Sequence, residues 1–352
     1  MPEHEEHPDT PPYRYRIVTG SEQNDGATSG DNWEPNVFAS IENIGKEAVL
    51  DPWIAVDGKN NWRTTQDILD GILTPQMTDD EKIVAIRAFV REHRYPIGDE
   101  TEDGEAADPV KLLNIYGYAD EHDTQTATDQ LLRSVGLAPE YPDIGNPVDT
   151  HRMTLTLRPG ETLIWEWEHR EKFHGYGACP SRLCNGGMLY TPPINTDPER
   201  WCEAVDNLSA FESVWHPVDP TTESSLVYLI RSPYVIVGGK IVVAGQAFTV
   251  EHSGDGNRWT PVPYDGDPER PRILPIDRFF PSASPARYEY FVRFRGVNCT
   301  IKRILIETDT QMAPLSLPAL KSGENEVVYS DRTSGPRQVR VVHGWYERLA
   351  SR

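Results

Sequence analysis

Nowhere in its 352 residues does this chain have an apolar run long enough to cross a bilayer as a helix, and only 38% of it is apolar. That excludes a helical anchor within the sequence and predicts a soluble protein. The opening residues, MPEHEEHPDTPP, contain neither a basic stretch nor an apolar one. No signal peptide is legible there, so a cytoplasmic location is expected, or a secreted one if a leader was removed. Cysteine is scarce. Four residues, Cys179, Cys184, Cys202 and Cys299, are too few for a disulfide scaffold. Cys179 and Cys184 with His174 lack a fourth zinc ligand at a usable spacing, so free thiols or one local disulfide are expected, and no metal or other cofactor. Lysine is scarce too: 34 basic residues comprise 8 lysines and 26 arginines, against 55 acidic ones, for a net charge of −21. Such a surface argues against nucleic acid and anionic membranes as partners. It does not exclude a local arginine-lined site.

What is present suggests two parts. Residues 1–30 are expected to be an acidic, flexible segment, broken by a short strand at the alternating Tyr13–Thr19. Two β-like runs follow, Val37–Asn43 and Ala48–Val56, the second ending at the Asp57–Gly58 turn signal. From Thr64 the apolar period lengthens. Thr78 and Glu81 have the spacing of a capping box, and Ile83, Ile86, Phe89 and Val90 share one helix face before the stop at His93-Arg94-Tyr95-Pro96. A second helix is predicted from near Asp120 to Ser134, closed by Gly136. After the proline-rich connector 139–147, helical patterning gives way to repeated alternation: Met153–Leu157, Leu163–Trp167, Leu226–Ile230, Tyr234–Val237, Ile241–Val250, Tyr288–Phe294, Ile301–Ile306, Glu326–Tyr329 and Gln338–Val342. Strands of this number with Gly and Pro punctuation predict an antiparallel β-sandwich. The expected divisions are 1–30, 31–145 and 146–352.

Residues 114–137 carry a recognisable spacing. Arg133 and Gly136 stand twelve and fifteen residues after Glu121, and Leu131-Leu132 precede the arginine. This resembles the core motif of the transglutaminase-like superfamily, in which a cysteine opens the helix; here Glu121 holds that position. TDDEKIVAIRAFVREHRY resembles the helix before that motif, so the likeness covers 78–137. It implies an α+β fold: a small truncated transglutaminase-like α/β domain, then a jelly-roll-like β-sandwich. The segments Ser253–Thr260, 288–311 and SLPALKSGENEVVYSD are similar to galactose-binding-like sandwiches in bacterial two-domain proteins of this type. A carboxylate at the cysteine's place removes thiolate chemistry. The family's histidine and aspartate normally follow on paired strands. Either His151 with Glu166 or Glu168 fills those places, or HRMTLTLRPGE opens the β-domain and those strands are missing.

Two groups of candidate site residues emerge. Asp120-Glu121-His122-Asp123 collects ionisable groups at a helix start, with Tyr116 and Tyr118 just before it and His151 beyond. Glu121, His122, Tyr116, Tyr118 and His151 are therefore the candidate acid/base residues, although an acidic helix cap explains the same cluster. Trp165, Trp167, His174 and Trp259 are the candidate sugar-stacking residues, although core packing explains tryptophans on one strand face equally well. The resemblance and these residues together imply a glycan-directed protein, as a carbohydrate-active lyase or hydrolase. The alternative is a non-catalytic pseudoenzyme whose sandwich binds carbohydrate or a protein. Oligomeric state is not legible.

Overall fold

The computed structural model describes residues 1–20, 35–59, 62–96, 102–137, 151–264 and 270–347. Its helices form where local signals favour them. Helix α1, Thr65–Ile72, starts at Thr64, whose hydroxyl accepts the Asp67 N–H at 3.1 Å. Helix α2, Asp79–Glu92, has the expected capping box: Thr78 N–H donates to Glu81 Oε2 at 2.8 Å and Glu81 N–H to Thr78 Oγ1 at 3.4 Å. A short α3, Pro109–Lys111, is capped by Asp108 and runs on as a wider turn, Leu112–Tyr116. Helix α4, Glu121–Ser134, is capped by Asp120 and ends where Gly136 takes φ +76°. There the Leu137 N–H reaches back to the Leu132 carbonyl at 2.9 Å, which occupies an otherwise orphaned helix-end acceptor.

The rest is overwhelmingly antiparallel β. The largest sheet orders its strands Glu3–Glu6, Val339–Trp345, Asn36–Asn43, Glu161–Glu166, Cys184–Tyr190, Thr300–Met312, Val214–Pro217 and Leu208–Phe211. Ile236–Gln246 joins it along Thr300–Met312 and carries Arg272–Pro275 outside it. A second sheet orders Ala204–Asp206, Glu223–Arg231, Glu289–Val297, Thr249–Ser253 and Thr260–Pro261. A third places Gly323–Ser330 between Tyr13–Thr19 and Trp53–Val56. Asp57 and Gly58 both have positive φ, as the turn signal after Trp53–Val56 requires.

Two apolar cores result. One gathers the helices, the N-terminal strands, Trp165 and the C-terminal strands Gly323–Ser330 and Val339–Trp345. The other is built from residues between Tyr190 and Ile306, including Trp215, Tyr228, Tyr290 and Phe294. Thr300–Met312 contributes to both: Ile301, Ile304 and Ile306 to the second, Met312 to the first.

This corrects the expected α+β class. The molecule is mostly β, with a curled sheet, and the four α-helices of the described residues pack onto strands drawn from both chain ends rather than forming a truncated transglutaminase-like α/β domain. The physical reason is pairing. Asn36–Asn43 bonds to Val339–Trp345 on one side and to Glu161–Glu166 on the other. Within the expected flexible 1–30 segment, Tyr13–Thr19 forms the strand its alternation predicts, and Glu3–Glu6 is a second, unexpected strand. The expected boundary at 145/146 lies outside the described residues, but the ladder crosses it in sequence.

Two outcomes follow. A fragment of residues 151–352 lacks Asn36–Asn43 and would expose the edges of two strands at once. It is expected to melt well below the intact chain, the first core failing while the second persists; an unchanged melting temperature would contradict the pairing. The second concerns acid. His343 is 2% exposed, and burial pushes its pKa down to about 3. His252, stacked on Phe279 and Tyr290, is pushed down to about 4 by burial, with Arg287 and Arg278 adding repulsion. Both rings are neutral when folded but take up a proton near pH 6.5 when unfolded. Their contribution is complete above about pH 6.5 and is lost as pH falls toward 4 and then 3. The melting temperature should drop through that interval. His343→Gln should flatten the drop by up to about 1.4 kcal/mol per pH unit, and an unchanged slope would refute the assignment.

Candidate functional site

Asp108 organises the segment that delivers most of the candidate polar groups. Its Oδ1 accepts the Val110 and Lys111 N–H groups at 2.8 and 3.0 Å, which starts α3, while Oδ2 accepts the His151 N–H at 2.6 Å. The wider turn ends at Gly117, where φ is +65° and a Cβ would lie 2.9 Å from Ala313 Cβ, so a side chain is excluded twice over. This tight closure turns Tyr116 and Tyr118 inward.

The two tyrosines meet His174 there. Tyr116 OH lies 2.9 Å from His174 Nδ1, and Tyr118 OH donates to the His174 carbonyl at 3.1 Å. His174 Nε2 faces the Ser284 carbonyl at 2.6 Å; a carbonyl only accepts, so Nε2 carries the hydrogen. Glu105 ties this group to the β-structure. Its Oε1 accepts from Lys111 Nζ at 2.7 Å, and its Oε2 accepts from Tyr288 OH at 2.5 Å with Tyr116 OH 3.4 Å away. Burial first, and the Glu105 charge with it, push the phenols of Tyr116 and Tyr288 well above their ordinary value. They are fixed donors. Tyr116, Tyr118 and His174 are all buried, so this network serves as a sealed latch.

The latch reaches an open cleft at His151 and Tyr288, whose rings are 5.0 Å apart. The cleft, of about 520 Å³, is also lined by Arg152, Arg158, Arg231, Glu161 and Trp201. His151 Nε2 lies 2.8 Å from the Pro233 carbonyl. The same logic assigns the hydrogen to Nε2 and leaves the Nδ1 lone pair without a partner among the described residues. Burial lowers the His151 pKa, which keeps the ring neutral near pH 7. Around it, Arg158 makes a two-point contact with Glu161 and lies 3.9 Å over the Tyr190 ring, and Arg231 pairs with Glu289 at 3.0 Å. Arg152 is exposed and has no ion pair among the described residues.

The other candidates are dispersed. Glu121 and His122 are exposed on the first turn of α4 and line neither this cleft nor the larger one described below. His151 lies in an extended segment before the strand Thr156–Leu157, not on a strand. Trp165 is fully buried, donates Nε1–H to Tyr234 OH at 2.9 Å and packs edge-on to Trp53, so it is core. Trp167, just past the end of that strand, is half-buried and faces a cleft. Trp259 is covered on one face by Arg293 at 4.1 Å. Sequence reasoning missed Glu105, Lys111 and Tyr288, whose meeting depends on the tertiary fold.

All four cysteines are free. Cys179 Sγ is 4.0 Å from His169 Nε2, but that nitrogen faces the Pro180 carbonyl at 2.9 Å while Nδ1 accepts the Glu171 N–H at 3.0 Å. The ring has no lone pair left to activate the thiol, and burial pushes the thiol pKa up. Among the described residues no three His, Cys, Asp or Glu side chains are grouped to hold a metal, and no helix is long and apolar enough to cross a membrane.

The chain matches no family model and no curated protein. Among solved structures, CpGH89CBM32-6 produced by Clostridium perfringens aligns with 34% of this chain and 90% of its own at 18% identity, with a TM-score of 0.16. That score establishes no common fold.

Because Glu121 and His122 are solvated and Asp120 supplies the cap, the double variant Glu121→Gln/His122→Ala should change stability by no more than about 0.5 kcal/mol in a denaturant melt. It should leave ligand binding at the His151 cleft intact. A larger loss of either would return the reaction centre to the start of α4.

Proposed function

We propose that the protein is glycan-directed and that the His151 cleft acts on an acidic sugar by proton abstraction, as a carbohydrate-active lyase does. One observation carries this reading: a neutral imidazole, its tautomer fixed by the Pro233 carbonyl, has an unpartnered Nδ1 in a cleft where Arg158 and Arg231 are paired with carboxylates and Arg152 is left without an ion pair among the described residues. A general base needs a lone pair within reach of the substrate and a proton affinity matched to neutral pH. Arg152, uncommitted to any carboxylate among the described residues, supplies the charge to hold a sugar carboxylate and to stabilise the adjacent carbanion. The steps balance. His151 Nδ1 takes the hydrogen from the carbon bearing the carboxylate. The electron pair left behind forms a carbon–carbon double bond and expels the glycosidic oxygen, which takes the proton back from the imidazolium. Tyr288 stays protonated behind the ring, committed to Glu105.

The test uses polygalacturonate, alginate and hyaluronan, with formation of the unsaturated product followed by ultraviolet absorbance. His151→Gln, whose amide still reaches the Pro233 carbonyl, should lower turnover by at least about a hundredfold with little change in melting temperature. Arg152→Ala should chiefly raise KM. In the parent protein the rate should still hold at the ordinary histidine value and fall only at lower pH, because burial lowers the pKa at which His151 protonates. Retention of an acidic polymer without elimination, weakened by Arg152→Ala, would leave the binding alternative and remove the enzyme. Failure of all three polymers to bind would remove the acidic-sugar reading.

A further inference from the structure

A second cleft, of about 880 Å³, lies between α1, α2 and the 314–321 segment. We propose that it is a binding site for uncharged sugar residues, independent of the acid/base reading of His151. The argument rests on rings held rigid and acceptors left open.

The rings come first. His93 ends α2, and both its backbone N–H and its Nδ1 approach the Phe89 carbonyl, at 3.1 and 2.8 Å. Its ring stacks on Phe89 with centroids 4.1 Å apart, and Trp62 stands edge-on to both, 5.6 Å from Phe89 and 5.2 Å from His93. Edge-to-face and offset contacts at these distances are attractive and fix ring orientation. Tyr95 is held by the two-residue parallel ladder to Tyr118-Ala119, with Arg182 lying 4.5 Å over its ring. The backbone of Trp167 is anchored by its amide N–H to the Val37 carbonyl at 3.2 Å, and its ring stays half-buried. All five rings line the cleft. Rigid aromatic faces match the C–H faces of a pyranose and lose little entropy on contact.

The polar lining then selects the ligand. The Phe89 carbonyl assigns the His93 hydrogen to Nδ1, so Nε2 is an acceptor with no partner among the described residues. Asp67 is fixed by the Thr64 hydroxyl at 2.7 Å through one oxygen, and its other oxygen has no hydrogen bond among the described residues. Asp57 and Asp70 line the cleft too, against Lys59 and Lys321. Acceptors suit sugar hydroxyls, which donate. Lys321 pairs with Asp57 at 2.6 Å, and the remaining two aspartates against one lysine disfavour a sugar carboxylate or sulfate. The volume lies near the upper end of the range for small-ligand sites, which suits an oligosaccharide better than one small molecule.

The experiment titrates the full chain with four uncharged hexasaccharides, built from β-linked glucose, mannose, xylose and N-acetylglucosamine, by calorimetry. Tryptophan fluorescence provides a second readout. At least one should bind saturably. His93→Gln and Asp67→Asn, which preserve the local packing, should each weaken it about tenfold, and Trp167→Ala should abolish the fluorescence change. His151→Gln should leave this binding untouched, so the present inference and the acidic-sugar reading fail separately. The proposal is overturned if none of the four binds. It is equally overturned if one binds with a Kd indifferent to His93→Gln, Asp67→Asn and Trp167→Ala, or if binding is lost in His151→Gln instead.

Discussion

A largely buried carboxylate must find donors or surrender its charge, and Glu105 finds one for each oxygen. Lys111 comes from the short helix beside it and Tyr288 from the segment leading into the second sheet, while Tyr116 gives its hydrogen to His174 Nδ1. Removing either donor would leave a charged oxygen underpaired. The price of that arrangement is structural commitment: the helical segment and the β-structure are held in one register. His174 extends the same network to the Ser284 carbonyl, and His151, through Asp108 and its contact with Tyr288, lies at its margin. The geometry of the His151 cleft therefore depends on a carboxylate that is largely, though not wholly, buried.

Local signals in the sequence were sound where the physics is local. The Thr78–Glu81 box, the Gly136 closure and the Asp57–Gly58 turn each depend on a few neighbouring residues, and each forms as read. Long-range pairing was not legible. Nothing in Asn36–Asn43 announces that it will lie between Glu161–Glu166 and Val339–Trp345, because register is set by partners more than a hundred residues away. Cys184–Tyr190 gave no strand signal either. Its Gly186 and Gly187 look like turn residues, yet a Cβ would come within 2.4 Å of the Ile164 carbonyl and 2.6 Å of the Thr308 carbonyl. They are glycines because three strands crowd there.

The candidate residues show the same division. Alternation places Trp165 and Trp167 on one strand face, but the strand ends at Glu166, so the first is core and the second turns toward a cleft. His151 stood out as a lone histidine before an alternating segment. Its partner Tyr288 lay far along the chain within another strand pattern, and Glu105 lay in an acidic loop where one carboxylate among several carries no mark. In the cluster at Glu121, the most conspicuous feature of the sequence, Glu121 and His122 are solvated while Asp123 is buried at the helix start.

The acidic strand Glu3–Glu6 has a bearing on how copies of the molecule meet. A sheet of ten strands presents at its margins rows of unmatched amides and carbonyls that could template another chain. Here one margin of the ladder is a short strand of sequence Glu-His-Glu-Glu, with Glu3 and Glu5 exposed. A second molecule adding its own copy of that strand would press like charges together across the new ladder, which is unfavourable. On a surface already carrying a net charge of −21, repulsion opposes self-association at this end of the sheet, where no further strand pairs with Glu3–Glu6 among the described residues.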